Sequence, residues 1–129
     1  MERKKPLDLL QRTFAFSAEI LRFCRALPPG AEIGMIKRQL IRSGTSVGAN
    51  YRAAQRAKSR RDFIHKLGTV EEEADECVFW LDLLAETGLA AGNEISPLRQ
   101  EAGELLAIIV TSRKTARKKS TGSEGRKAK

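Results

Sequence analysis

The chain has 129 residues, of which 41% are hydrophobic and 31% are charged, and its formal net charge is +8 at pH 7. This length allows one domain with a single core, but not two. No apolar run reaches the roughly 18 residues of a membrane-spanning helix, and no apolar segment follows the basic N-terminus as it would in a secretory signal. The two cysteines have neither metal-binding nor redox spacing. We therefore expect a cytoplasmic protein without a membrane partner.

The first predicted helix covers residues 7–27 and carries two sets of apolar or small side chains. One set follows a heptad-like stripe: Leu7, Leu10, Phe14, Ser17, Leu21 and Cys24. The second set comprises Phe16, Ile20, Phe23 and Leu27. Together they cover more of the helix than one bundle core needs, so we expect Phe16, Ile20 and Phe23 to form an oligomer contact. Two prolines and a glycine at 28–30 end the helix.

The second predicted helix covers residues 32–57. Apolar or small residues recur there every three or four positions: Ile33, Ile36, Leu40, Ser43, Val47, Asn50 and Ala54. Ser43 and Asn50 are polar core positions, and we expect the Asn50 amide to be buried and hydrogen-bonded at a helix-helix contact. Gly44 and Gly48 each cost a helix about 1 kcal/mol relative to alanine. Either the helix is weak here or, as we favour, the glycines let a second backbone approach closely.

Ser59 and Asp62 have the spacing of an N-cap and capping box, so a third helix is predicted to start there and to end at Gly88. Its apolar repeat is the most regular in the chain: Phe63, Leu67, Val70, Ala74, Cys77, Leu81 and Leu84. The pair Ser96-Pro97 predicts the start of a fourth helix, which continues to about Lys118. Its stripe contains Leu98, Ala102, Leu105 and Ile109.

Four helices with short connections can bury their apolar stripes only against one another. The predicted fold class is therefore all-α, an antiparallel up-down four-helix bundle over residues 1–118. Residues 119–129 contain no apolar residue beyond one alanine and are predicted to form a disordered basic tail.

Charge is distributed unevenly along the chain. Residues 37–66 hold nine Lys and Arg against one Asp, residues 67–112 hold ten acidic residues against one Arg, and residues 113–129 hold eight Lys and Arg against one Glu. A helical projection places four arginines on one outward arc, which we call the arginine row: Arg38, Arg42, Arg52 and Arg56. The row is either an ordinary solvated face or, together with Lys58, Arg60 and Arg61, a surface that binds nucleic-acid phosphates.

No arrangement of residues predicts catalysis, a metal site or a cofactor. Asp62-x-x-His65 matches one carboxylate-x-x-His element of a di-iron bundle, but such sites use two, and His65 is the only histidine. Cys24 and Cys77 lie on core stripes, where a free cysteine behaves as a small apolar residue. Trp80 could stack on a base, although packing is the more common role of such a residue. We therefore expect a protein that is not an enzyme.

Five segments carry a resemblance to a known family: Arg42-Ser-Gly-Thr-Ser-Val-Gly-Ala-Asn50-Tyr, Ala54-Gln-Arg-Ala, Ser59-Arg-Arg-Asp62-Phe-Ile-His-Lys-Leu67, Glu73-Ala-Asp-Glu76 and Phe79-Trp-Leu-Asp-Leu-Leu84. They resemble bacterial four-helix-bundle proteins that include those encoded in intervening sequences of large-subunit ribosomal RNA genes and the accessory protein of diversity-generating retroelements. The resemblance covers about residues 8–118. It implies a homopentamer that works with ribosomal RNA or beside a reverse transcriptase. Ala53 departs from the family pattern, which usually has Glu at this position.

Two functions remain open at this point. The first is a non-catalytic oligomeric scaffold that binds RNA or DNA by phosphate contacts through a basic surface. The alternative is a structural homo-oligomer whose charged faces serve protein-protein assembly, without nucleic-acid binding. In either case the basic and acidic faces of one subunit favour a closed ring built from head-to-tail contacts.

Overall fold

A computed structural model describes residues 8–127, with side chains for residues 8–119. This part of the chain contains no strand and consists of four helices: α1 (Leu9–Ala26), α2 (Ala31–Ala54), α3 (Arg60–Thr87) and α4 (Gly92–Lys127). Each helix packs on its neighbour in sequence, and α1 also contacts α4, although less extensively. The connections are short, so successive helices run in opposite directions. The predicted antiparallel four-helix bundle is confirmed.

One hydrophobic core receives side chains from all four helices. Leu40 of α2, Leu81 of α3 and Ile109 of α4 are fully buried. These residues belong to the apolar stripes that the spacing predicted, so the rotation of α2, α3 and α4 about their axes agrees with the sequence. None of the described helices has the length and apolar character needed to cross a membrane.

The rotation of α1 differs from the prediction. Phe16 and Ile20 are only 2% and 0% exposed and belong to the core of the bundle, while Phe23 is half-buried against it. Phe16 and Ile20 are therefore not available as surface contacts, and their assignment to an oligomer interface is corrected. The exposed apolar residues of α1 come from the other set: Leu10 (44%), Phe14 (72%) and Leu21 (46%).

The glycines of α2 explain this rotation, because they form the surface on which α1 lies. A Cβ atom added at Gly44 would lie 2.6 Å from Cγ2 of Ile20, and one at Gly48 would lie 3.1 Å from the backbone oxygen of Thr13. Between them, the Ser17 hydroxyl donates to the carbonyl oxygen of Gly44 (2.8 Å) and accepts from the N–H of Gly48 (3.1 Å). The close approach predicted from the glycine pair is thus observed, and it turns Ile20 into the core.

The two ends of α3 follow their local sequence at Ser59 and Gly88. Ser59 caps α3 by accepting from the N–H of Asp62 (3.0 Å). The Asp62 carboxylate in turn accepts a hydrogen bond from the N–H of Lys58 (3.1 Å), one residue before the position that a capping box uses. Gly88 ends α3 with φ +70°, a left-handed conformation that glycine adopts without steric cost.

The start of α4 was predicted too late in the chain. The helix begins at Gly92, and the carbonyl oxygen of Ala91 accepts from the N–H groups of Glu94 (3.1 Å) and Ile95 (3.2 Å). Burial of Ile95, which is 3% exposed, favours this earlier start. Pro97 consequently lies inside α4 rather than at its first position. At the other end α4 continues to Lys127, and the division into a bundle ending at 118 and a disordered tail stays a prediction.

Candidate nucleic-acid interface

Two basic segments lie at the same end of the bundle. Since α2 and α4 run in the same direction, the last turn of α2, the α2–α3 connection and residues 112–119 of α4 lie at one end of the bundle. Residues 52–66 hold six Lys and Arg against one Asp, and residues 112–119 hold five against no acid. We call this region the basic end. Its exposed cationic side chains include Arg52, Arg56, Lys58, Arg60, Arg61, Lys114, Lys118 and Lys119.

Within the described part of the chain, acidic side chains pair with Lys66 and Arg113 of the basic end but not with the cations around the α2–α3 connection. The ion pairs there include none made by Arg52, Arg56, Lys58, Arg60 or Arg61. The nearby carboxylate of Asp62 is held by Lys66, with an N–O distance of 2.6 Å. This hydrogen bond, together with the one from the Lys58 N–H, lowers the pKa of Asp62. The cations of the α2–α3 connection are therefore left to solvent or to a ligand.

The arginine row is interrupted in its middle. Arg42 reaches across to α3, where it pairs with Glu73 (3.2 Å) and with Glu76. The hydrogen bond between Arg42 and Glu76 raises the pKa of the arginine and lowers that of the glutamate. The Trp80 indole N–H also donates to Glu76 (3.2 Å), which gives this tryptophan a structural partner. Arg52 and Arg56 lie at the basic end, whereas Arg38 is exposed near the opposite end of α2.

The acidic residues of α3 and α4 pair largely with arginines of the same chain. Arg12 of α1 binds Glu101 (2.6 Å) and Glu104 (3.0 Å) of α4. Two further pairs join α3 to α4: Arg99 with Asp82 (2.8 Å) and Arg113 with Glu71 (3.2 Å). Intramolecular pairing thus uses much of the negative charge that the sequence places between residues 67 and 112. Among the described residues it reaches Arg113 of the basic end but not the cations around the α2–α3 connection.

A groove of about 670 Å³ opens at the basic end between the α2–α3 connection and α4. Its floor is apolar and includes Ala54, Phe63 and Ala116, while its polar lining includes Ser112, Thr115, Arg60 and Lys119. The sequence pattern predicts Arg60 as a site residue but gives no signal for the α4 side of the groove. The hydroxyl residues of α4 carry no motif, and only the packing of α4 beside the connection brings them to Arg60.

The polar core residues have partners within the subunit. Ser43 is buried, and its hydroxyl bonds to the carbonyl oxygen of Gln39 (3.0 Å) and contacts the Cys77 thiol (3.4 Å). Asn50 is only half-buried, and its side-chain amide donates to the carbonyl oxygen of Ser46 (2.9 Å). This bond lies within α2 and does not join two helices. The structure therefore does not show the expected hydrogen bond from the Asn50 amide to another helix.

The two cysteines are buried in the core and are free thiols. Burial raises the pKa of Cys24 to about 11 and that of Cys77 to about 12. Because the thiolate is the reactive form, these values leave both side chains as inert thiols at neutral pH. His65 is exposed on α3, three residues after the capping residue Asp62.

Comparison with known proteins adds two findings. Residues 5–111 match the model of the 23S rRNA-intervening sequence protein family. The fold is similar to the crystal structure of a protein of unknown function from the S23 ribosomal protein family of Bacteroides thetaiotaomicron, with a TM-score of 0.78 and 30% sequence identity, covering 83% of this chain and 99% of that one. A search of curated proteins found no similar sequence.

Proposed function

Because the chain belongs to the 23S rRNA-intervening sequence protein family, we propose that it is a non-catalytic scaffold that binds RNA through the basic end. The observation that supports this proposal is the cluster of exposed cations around the α2–α3 connection, which has no ion-pair partner among the described residues. The family name makes ribosomal RNA the first candidate. A reverse transcriptase as partner rests only on the resemblance described above.

Phosphate contacts determine the expected character of binding. Each phosphate that a lysine or arginine neutralises releases condensed counterions, so affinity falls as salt rises. Phosphate contacts carry no base information, and we therefore expect little dependence on RNA sequence. Arg42 is left out of the proposed surface because Glu73 and Glu76 already bind its guanidinium.

Two charge-matched triple variants test the proposal. R52Q/R56Q/R60Q removes three charges from the basic end, and R22Q/R25Q/R38Q removes three exposed arginines from the opposite end. We expect the first variant to bind RNA about tenfold or more weakly, with a salt dependence of log K shallower by about 2. The second should retain the parent's affinity. Fluorescence anisotropy with a labelled RNA, measured over a salt series, gives both the affinity and its salt dependence for each variant.

Equal losses in the two variants would mean that overall charge, and not the basic end, governs binding. Because the control variant replaces Arg38, it also tests whether this member of the arginine row contributes to RNA affinity. A third variant that lacks residues 119–129 measures separately how much the basic tail contributes to RNA affinity. Circular dichroism of each variant establishes that the helices are retained.

A second candidate function is assembly itself, and the exposed apolar face of α1 favours it. Leu10, Phe14 and Leu21 would each lose unfavourable contact with water if a second subunit covered them. The two functions are compatible, because an oligomer would gather several basic ends on one particle and raise their combined affinity through effective concentration. The resemblance implies five subunits.

A further inference from the structure

We infer that the groove between the α2–α3 connection and α4 binds one unpaired nucleotide of an RNA strand. This inference rests on the proposed function and assigns it a specific site and a preferred form of RNA. The groove volume of about 670 Å³ falls within the range of roughly 300–1,000 Å³ that is usual for small-ligand clefts.

The floor of the groove suits a nucleobase. Phe63 is half-buried, lines the groove and is supported by the core behind it. Ala54 and Ala116 add small apolar side chains beside the ring, and they leave room that larger residues would fill. Aromatic side chains in basic grooves bind unpaired bases by stacking, largely without regard to base identity.

The lining of the groove suits the sugar and the phosphate. Ser112 and Thr115 lie on the same side of α4, three residues apart, and bring their hydroxyl groups to the groove. A hydroxyl can both donate to and accept from a ribose 2′-OH, which is the group that distinguishes RNA from DNA. Arg60 and Lys119 supply positive charge from the two opposite walls, where the flanking phosphates of the strand would pass.

The charge of the lining selects the occupant. An apolar peptide would bury apolar surface against the floor of the groove, but it would offer no negative charge to Arg60 and Lys119. A single-stranded nucleic acid offers a base to the floor and phosphates to both cations. Duplex RNA offers phosphates, but its bases are paired and stacked within the helix. The groove should therefore favour single-stranded over duplex RNA, although the surrounding cations attract both.

The test fills the groove without changing its charge. Thr115→Trp places a large side chain in the groove from an exposed position on α4, and Ala107→Trp makes a comparable change at an exposed position of the same helix outside the groove. The probes are a short unstructured RNA, a DNA of the same sequence and a duplex RNA. We expect Thr115→Trp to weaken single-stranded RNA binding about tenfold and to leave duplex binding and the Ala107→Trp control at parent levels.

Two further variants test the nucleotide site without introducing a bulky side chain. Phe63→Leu retains an apolar floor but removes stacking, so it should reduce the preference for single-stranded over duplex RNA. Ser112→Ala combined with Thr115→Val removes the hydroxyls and should reduce the preference for RNA over DNA.

The outcomes separate this inference from the proposed function. A parent protein that binds neither single-stranded nor duplex RNA would overturn both. If the parent binds both forms and Thr115→Trp changes neither, or weakens both equally, the nucleotide site is refuted and the basic end remains an RNA-binding surface.

Discussion

Ser17 connects α1 to α2 through a single hydroxyl group that bonds to the backbone of Gly44 and Gly48. A serine at this position is useful because it both donates and accepts within a space too small for a larger side chain. The contact depends equally on the absence of a side chain at Gly48, since a Cβ there would lie 2.6 Å from the Ser17 oxygen. Residue size on both helices therefore sets the distance between them.

Gly48→Ala should lower the free energy of unfolding by about 1–2 kcal/mol, because steric overlap with Ser17 and Thr13 exceeds the gain in helix propensity. Gly34 is the matched control on the same helix. A Cβ there would meet only Arg38 at 3.6 Å, an ordinary contact, so Gly34→Ala should raise stability by up to about 1 kcal/mol. Chemical denaturation measures both changes. A stabilised Gly48→Ala variant would contradict the close approach of α1.

Glu76 should make stability sensitive to acid. Hydrogen bonding to Arg42 lowers the pKa of this carboxyl in the folded state, so protonation occurs more readily in the unfolded chain. The stabilising contribution is present at neutral pH and is lost as pH falls below about 4.3, the ordinary pKa of glutamate, towards the lower folded value. Glu76→Gln should cost less than about 1 kcal/mol at pH 7, because the pair is partly exposed.

Denaturation of the parent and of Glu76→Gln at pH 7 and at pH 3.5 checks this prediction. The difference between the two proteins should be smaller at the lower pH. Glu72→Gln is the control, since Glu72 is exposed on the same helix and forms no ion pair among the described residues. A difference in stability that grows on acidification would contradict a lowered pKa of Glu76 in the folded state.

At the scale of the helix, the start of α4 can be tested through Pro97. A proline at the first position of a helix costs little, whereas one in the second turn removes a backbone hydrogen bond and crowds the preceding carbonyl. Because α4 begins at Gly92, Pro97→Ala should raise the free energy of unfolding by about 1–3 kcal/mol. An unchanged stability would favour a helix that starts at Ser96. The measurement is urea denaturation followed by circular dichroism.

The local sequence predicts the buried face of a helix correctly where the helix has only one apolar stripe. The single apolar stripes of α2 and α3 sufficed to place Leu40 and Leu81 in the core. On α1 two apolar sets compete, and the choice between them depends on the glycine surface of α2, which is a property of the partner helix. Periodicity within α1 therefore could not exclude the wrong face.

The candidate site was predictable only in part for the same reason. Composition alone located the basic residues around Arg56 and Arg60. Pairing of Arg42 with Glu76, and the approach of Thr115 to the α2–α3 connection, depend on the register between helices. No local pattern encodes this register, so the arginine row was predicted as continuous and the groove was not predicted.

At the scale of the whole molecule, the exposed aromatic residues bear on assembly. In the described bundle α1 contacts α2 and α4 but not α3, so α1 and α3 are diagonally opposite. Phe14 of α1 is 72% exposed and Phe79 of α3 is 56% exposed. A head-to-tail contact would join these two faces, whereas a two-fold contact would pair α1 with a second α1.

Phe14→Glu should convert an oligomer to monomers, because it places a charge in the centre of the proposed contact. Phe79→Glu should do the same if the contact is head-to-tail, and should have no effect if it is two-fold. Met35→Glu, at an exposed apolar position of α2, is the control and should leave assembly intact. Light scattering after size exclusion reports the mass of each variant. A monomeric parent at tens of micromolar would remove the assembly proposal.

The concentration of positive charge at the basic end has a kinetic consequence as well. The opposite end of the bundle mixes both signs, with Glu19, Arg25 and Glu94 among its exposed residues, so the molecule has a permanent electric dipole along its long axis. In the field of a polyanion this dipole turns the basic end forward before contact is made. Such steering raises association rates by about 10- to 1,000-fold, and salt suppresses it. Under the proposed function, the protein should therefore capture RNA by fast, oriented encounters, and added salt should lower the association rate first.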